Sequence, residues 1–293
     1  MIKNELEFTG ERLTTSVFEY WSIEHLHRYA IVMKIVQGKK VLDIASGEGY
    51  GTHLLAGYAL NIIGVDISET AIIHASQKYQ KPNLSFKTGS TSAIPLEGNS
   101  VDVVVSFETI EHHDEHDMMM QEIKRVLTAD GVLIISSPDK KYYSDIPRYK
   151  NPYHVKELYK SELQELLDKY FTNTKYLKQK TIFGSVISPS KNEATQLIEY
   201  AGNYDDTTNE HGLQECPYIL CIASNNSLKD ISLNTSVFYS SDMFDLYTKL
   251  KDENIGLEKS NNLLQQRLND PVQIIKQLIT LPLKALKKFQ NKK

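Results

Sequence analysis

Between Lys40 and Ser137, short apolar runs alternate with stretches of helical spacing. Val41-Leu-Asp-Ile-Ala45 reads as a buried strand and Thr52 to Tyr58 as the helix after it. Asn61-Ile-Ile-Gly-Val-Asp66 reads as a second strand. Ser68 is placed to cap the next helix, to about Tyr79, with Glu69 in its first turn. Leu84 to Lys87, Val101 to Phe107 and Gly131 to Ser137 complete five strands, and the fourth is rich in β-branched residues. Met118 to Leu127 has helical spacing. Alternation of this kind predicts parallel strands joined by right-handed crossovers.

Beyond residue 150, Lys160 to Tyr170 predicts a helix, and Asn173 to Lys178 and Pro217 to Ala223 predict the last strands. The polar stretch between them, Ser188 to Glu215, is expected to pass over the active-site face. The composition changes near Asn225. Leu250, Leu257 and Leu264 recur every seven residues, with Tyr247, Asn254, Asn261 and Leu268 offset by three. This heptad seam predicts either a self-associating coiled coil, its register set by buried asparagine, or a helix packed on its own domain. Pro271 to Lys293 carries six lysines, no acid and a set of apolar residues, a pattern suited to the face of an anionic membrane.

The chain is therefore divided into a helical cap at 1–37, an α/β domain at 38–224, a linker at 225–241, a coiled coil at 242–270 and a basic amphipathic tail at 271–293. Its 293 residues carry a formal net charge of -4, and no basic domain points to nucleic acid. The spacing of Cys216 and Cys221 fits neither a zinc pair nor a redox motif, so both are expected as buried thiols. Met1 to Arg12 lacks the apolar core of a secretory signal, and no run approaches the roughly 18 apolar residues of a membrane span. The catalytic part is expected in the cytoplasm.

The turn after the first strand, Asp43-Ile-Ala-Ser-Gly-Glu-Gly-Tyr-Gly51, lets the backbone approach a ligand closely. Such a turn alone fits NAD, a flavin or S-adenosylmethionine (SAM). Two features discriminate. Asp66 ends the second strand, where a carboxylate can accept both ribose hydroxyls of an adenosine. Asp43 places an acid inside the first strand, unlike the usual dinucleotide fingerprint. The stretch resembles motif I of class I SAM-dependent methyltransferases, of the type 11 and 23 kind, with Ala45 in place of the first glycine. Pro95 to Val103 and Leu127 to Val132 resemble the later motifs, and the likeness spans roughly Gly38 to Asp139. It implies a Rossmann-like, seven-stranded fold with a helical coiled-coil extension. It also implies SAM held by Asp43, Ala45, Ser46, Gly47, Gly49, Asp66, Ile67, Phe107 and the adenine loop Ser90, Thr91 and Ser92.

Past the fourth strand, Glu108, Glu111 and His112 stand at i, i+3 and i+4, which puts them on one face if a helix starts there. Two carboxylates and an imidazole suit a divalent cation, Mg2+ or similar, that would lower the pKa of an acceptor oxygen. The pattern resembles the metal motif of small-RNA 2′-O-methyltransferases and ubiquinone-pathway O-methyltransferases, which implies a further ligand, His154. Without a metal, His112 or His113 is the candidate general base.

The flanking stretches, Phe8 to Leu13, Glu24 to Ala30 and Asn151 to Leu158, resemble methyltransferases encoded with bacterial surface-polysaccharide synthesis. That likeness implies a sugar hydroxyl as acceptor, on a nucleotide sugar or a lipid-linked glycan, with His25, His27, Arg28 and Tyr29 over the site mouth. It also fits a peripheral position on the inner face of the cytoplasmic membrane. A quinone-precursor acceptor and a non-catalytic assembly role are the alternatives; an RNA acceptor is disfavoured by the acidic balance.

Overall fold

The computed structural model describes residues 6, 12–16, 20–182, 184–189, 197–202, 207–228, 231 and 234–238, together with seven residues between 253 and 261. The chain divides into two compact units, Met1–Tyr239 and Ser240–Lys293.

The first unit is built on one large sheet. Its elements in chain order are α1 (Tyr20–Val32), β1 (Lys40–Ile44), α2 (Tyr50–Leu55), β2 (Asn61–Asp66), α3 (Glu69–Lys78), β3 (Leu84–Thr88), β4 (Val101–Phe107), α4 (His116–Val126), β5 (Leu127–Pro138), α5 (Lys160–Tyr170), β6 (Asn173–Ile182), β7 (Gly184–Pro189), β8 (Ile198–Gly202), β9 (Thr207–His211), β10 (Tyr218–Ser224) and β11 (Ser236–Phe238). The sheet has nine strands in the order β11-β7-β6-β10-β5-β4-β1-β2-β3. β3, β2, β1, β4 and β5 are parallel, and β10 runs antiparallel between β5 and β6. The sheet therefore departs from the seven strands expected: β6 folds back into β7, and β11 pairs with β7, so two further strands lie beyond β6. β8 and β9 form a separate two-stranded ribbon.

The alternation predicted from sequence is physical. In β4, Val101 and Val104 enter a core packed by α4 and α5, while Val103, Val105 and Phe107 enter the opposite core, packed by α1 and α2. Side chains two apart share a face of a strand, which groups Val103, Val105 and Phe107 against Val104; the register shift between Val101 and Val103 returns Val101 to the side of Val104. All seven residues of β10 are buried, as a strand with neighbours on both sides requires. The Ser68 hydroxyl accepts the Ala71 N–H and caps α3, as its sequence position predicts.

The stretch read as a linker contains β11 and buried Leu228. Ser188 to Glu215 holds part of β7 and the β8–β9 ribbon. Cys216 and Cys221 are free and buried, and burial pushes both thiols up to about 12. Among the described residues no helix is long and apolar enough to cross a membrane. In the second unit, Asn254, Leu257 and Asn261 are helical and exposed. The rest of the heptad seam and all of 271–293 lie outside the described residues.

Candidate active site

Strand order reverses between β1 and β4, and open α/β sheets bind ligands at the carboxyl ends of such strands. After β1 the chain turns through Ala45, Gly47 and Gly49, whose φ angles are 61°, 56° and 90°. Left-handed backbone is free for glycine but costs an alanine about 1 kcal/mol or more. Ala45 therefore carries strain that a glycine would not. Gly49 sits at the start of α2, where a Cβ would lie 2.9 Å from Ala75 and Phe86; its work is packing and turning.

Asp66, the last residue of β2, is held by this turn. Its Oδ2 accepts the Gly47 N–H at 2.8 Å, and its Oδ1 accepts the Ser68 N–H at 2.9 Å. The Arg12 guanidinium lies 3.5 Å from Oδ1. A carboxylate has about four lone-pair sites, so a fixed Asp66 still has capacity for a pair of ribose hydroxyls. A cavity of about 340 Å³ opens here, within the range of small-ligand sites.

Of the residues the sequence assigned to the cofactor, Ala45, Ser46, Gly47, Asp66, Ile67, Ser90, Thr91 and Phe107 line this cavity. The Ser46 hydroxyl is buried with no hydrogen-bond partner, against Gly64 of β2. Asp43, Gly49 and Ser92 do not line it. Asp43 is fully buried one layer down, where it accepts from the Thr52 hydroxyl at 2.6 Å and from Tyr29 at 3.3 Å. Burial pushes its carboxyl up to about 7. Ser92 instead bonds the Ser90 hydroxyl at 3.0 Å.

Sequence reasoning missed several lining groups. Tyr50 lines the cavity from α2, and Arg12, Leu13 and Glu48 close it from the N-terminal side. Glu48, inside the glycine turn, is buried and clamps that side. It accepts from the Thr15 N–H at 3.1 Å and from Lys78 at 2.7 Å. Gly51 makes room for Tyr29, whose ring would be 1.9 Å from a Cβ there.

A second cavity, about 640 Å³, adjoins the first. Leu13, His25, Glu108 and His112 line both. Its walls are aromatic (Trp21, Tyr142, Tyr143, Tyr149, Tyr153 and Tyr218), and its polar groups include Glu24, Glu111, Asn151 and His154. No described residue of 188–215 lines either cavity. Burial pushes the Glu24 and Glu111 carboxyls up, Glu111 well above the usual range. Glu111 Oε2 has no hydrogen-bond partner.

The loop at 151–157 docks on the short turn Ile110–His112, because the Glu111 carbonyl accepts the N–H groups of Val155 and Lys156. That docking carries His154 to the site. Ligand atoms of Glu111, His112 and His154 all lie within 4.8 Å of one another. His112 Nδ1 contacts the Tyr153 carbonyl at 3.2 Å and His154 Nδ1 contacts Glu157 at 2.6 Å. An oxygen acceptor at Nδ1 leaves Nε2 as the lone-pair nitrogen of each ring, the orientation seen in metal-bound histidine. Nε2 of His154 now accepts from the Asn151 amide at 3.0 Å.

Glu108 stands apart from this cluster. Its φ is 48°, its Oε1 accepts the Ser136 hydroxyl at 2.7 Å, and its Oε2 is 3.5 Å from the Arg28 guanidinium. Arg28 is fully buried beneath the second cavity, over the Tyr218 ring at 4.4 Å. Arg28 pairs with Glu108, and besides burial the Glu108 charge helps to push the neighbouring Glu111 carboxyl up. His113 faces the adenine-side loop, 3.4 Å from the Thr91 hydroxyl, and lines only the first cavity. Of the N-terminal group, His25 lines both cavities and meets the Tyr50 hydroxyl at 3.1 Å. His27 turns away to Ser236.

Residues 35–202 match the family model described as a methyltransferase domain. A probable S-adenosylmethionine-dependent methyltransferase of Mycolicibacterium smegmatis is 36% identical over 172 residues, 57% of this chain and 65% of that protein. One of Mycobacterium tuberculosis is 36% identical over 167 residues, 55% of this chain and 60% of that protein. The chain thus spans less than two thirds of the length of these relatives. Among solved structures, the YcgJ protein of Bacillus subtilis superposes with a TM-score of 0.50 at 18% identity, covering 69% of this chain and 100% of that one. A SAM-dependent methyltransferase of Thermotoga maritima gives 0.51 at 19% identity, over 71% and 91%. With the matched model covering 35–202, more than half of the chain, the chain belongs to the methyltransferase-domain family.

Proposed function

We propose that the chain transfers a methyl group from SAM to a hydroxyl of a cell-envelope carbohydrate. One observation carries this reading: a cofactor cavity and an aromatic, polar second cavity meet at His25, Glu108 and His112. SAM supplies an electrophilic methyl group. Asp66 and the Gly47 turn orient the donor, and the second cavity aligns a hydroxyl with it, which is most of what an in-line displacement asks of a protein. A sugar ring offers apolar faces to the tyrosines and hydroxyls to Glu24, Glu111 and Asn151.

The hydroxyl must lose its proton as the oxygen–methyl bond forms. His112 is one of the residues at the junction, and we assign it the contact with the acceptor oxygen. Glu111, His112 and His154 fit a divalent cation, supported by the unpartnered buried Glu111 oxygen and the orientation of both imidazoles. Such an ion, when bound, would lower the pKa of the acceptor hydroxyl. Glu108, held by Arg28, is left out of that ligand set. Full turnover in chelator would remove the metal and leave His112 as direct base.

A second reading has a specific support. Curated relatives include a phthiotriol/phenolphthiotriol dimycocerosates methyltransferase of Mycobacterium ulcerans at 27% identity and a fatty-acid O-methyltransferase of Mycolicibacterium smegmatis at 25%. A lipid acceptor would also use the apolar walls. The heptad segment at 242–270 and the basic tail at 271–293 are proposed to add self-association and contact with an anionic membrane. Mass spectrometry of surface glycans and lipids from cells with and without the gene tests the acceptor. Loss of a sugar methyl supports the first reading; loss of a lipid methyl with intact glycans supports the second.

A further inference from the structure

The loop from Lys140 to Leu158 lines the acceptor cavity with one side and presents an uncovered face with the other. Its ends are joined, since the Lys140 N–H donates to the Leu158 carbonyl at 3.1 Å. Inside it, a single wide turn at Lys141–Asp145 is fastened by the Tyr159 hydroxyl, which donates to Asp145 at 2.8 Å. Tyr142, Tyr143 and His154 turn toward the cavity.

The outer face is apolar and basic. Ile146 is 56% exposed and Val155 65%, and Tyr149, also a wall of the cavity, is 51% exposed at the mouth between the two. Around them Lys141, Arg148, Lys150 and Lys156 are exposed, and in this loop Asp145 is the one exposed carboxylate. That carboxylate is already engaged by Tyr159. Three exposed apolar side chains in one short loop are more than the singly scattered residues an ordinary surface carries. Aliphatic and tyrosine side chains ringed by cations suit a bilayer headgroup region, where the rings sit at the boundary and the cations meet anionic lipid.

We infer that this rim rests on an anionic bilayer surface, so that the acceptor cavity opens onto the membrane. The inference deepens the proposed function, since it rests on the second cavity being the acceptor site. It would let a lipid-linked acceptor enter without leaving the bilayer. The rim is distinct from the basic tail, and its sequence signal is weaker because its four cations are spread over sixteen residues, 141–156.

The test uses the full chain carrying Ile146→Cys labelled with an environment-sensitive fluorophore; both native cysteines are buried. The probe is read on vesicles of phosphatidylcholine with and without phosphatidylglycerol, free of acceptor, SAM and added metal. The expected result is a several-fold rise in emission on the anionic vesicles only. Lys141→Glu, Arg148→Glu and Lys156→Glu together should weaken vesicle binding roughly a hundredfold. A probe that stays silent while the protein pellets with vesicles means the tail binds alone, and overturns the inference. So does the absence of any vesicle binding, which would leave this face to a protein partner. Because no chemistry is assayed, methyl transfer to a soluble sugar can fail while the rim still binds, and the reverse.

Discussion

The carbonyl of Glu111 accepts the N–H of Val155 at 2.8 Å. This one backbone bond, with its neighbour from Lys156, fixes the position of His154 relative to His112, two residues 42 positions apart in sequence. The sequence motif after β4 supplies two of the three cluster residues, Glu111 and His112, and the loop after β5 supplies the third, His154.

Val155→Pro removes the donor while changing an exposed side chain. The loop should loosen and His154 should leave the cluster. Turnover is expected to fall on the order of a hundredfold, the usual cost of a displacement of about 1 Å at a reacting centre. SAM affinity should not change, because no residue of this loop touches the first cavity. Steady-state kinetics beside a SAM titration checks both halves.

Glu48 ties three segments together: the Thr15 turn, α3 through Lys78, and the glycine turn that carries it. Glu48→Gln keeps the shape and removes the charge. The bond to Lys78 weakens, and charge-assisted hydrogen bonds of this kind contribute about 1.5–3 kcal/mol. The N-terminal segment at 12–16 should then become a protease site, and SAM affinity should drop several-fold as Arg12 and Leu13 leave the cavity wall. Limited proteolysis with and without S-adenosylhomocysteine reads the first effect.

Asp43 gives the fold a pH dependence. Burial raises its carboxyl to about 7, above its value in the unfolded chain. The folded state therefore binds the proton more tightly, and the stability this contributes is fully present below the ordinary carboxylate range. It is lost as pH rises toward 7, at no more than about 1.4 kcal/mol per pH unit. Asp43→Asn, neutral throughout, should flatten that decline. Urea titrations at pH 5 and pH 8 compare the two, and an unchanged difference would show that Asp43 is charged in the folded protein.

What the sequence revealed follows from how local each cause is. β2 and β4 were bounded correctly because a buried parallel strand is a run of β-branched residues. α3 was bounded because Ser68 caps it. β8 and β9 carry polar sequences such as Thr207 to His211, and β11 is three residues long, so no apolar period announces them. In the site, Gly47 and Asp66 were legible because a turn and a strand end are local features. Tyr50, Arg12 and Glu48 were missed because their roles come from packing across the sheet edge. Glu108 was read as part of one helical face with Glu111. Its left-handed backbone and its pairing with the buried Arg28 guanidinium and Ser136 go with its absence from the three-residue cluster, and neither has a signature at the motif itself. Ala45 was legible as the replacement of a glycine, but the positive φ that makes it strained was not.

The account depends most on Asp66 holding the ribose of the methyl donor. Calorimetric titration of the full chain with S-adenosylhomocysteine, beside Asp66→Ala, tests this directly. Loss of two charge-assisted hydrogen bonds, about 1.5–3 kcal/mol each, predicts clear binding to the native chain and a decrease of a hundredfold or more in the variant. Equal affinity in both, or no binding to the native chain, would contradict it.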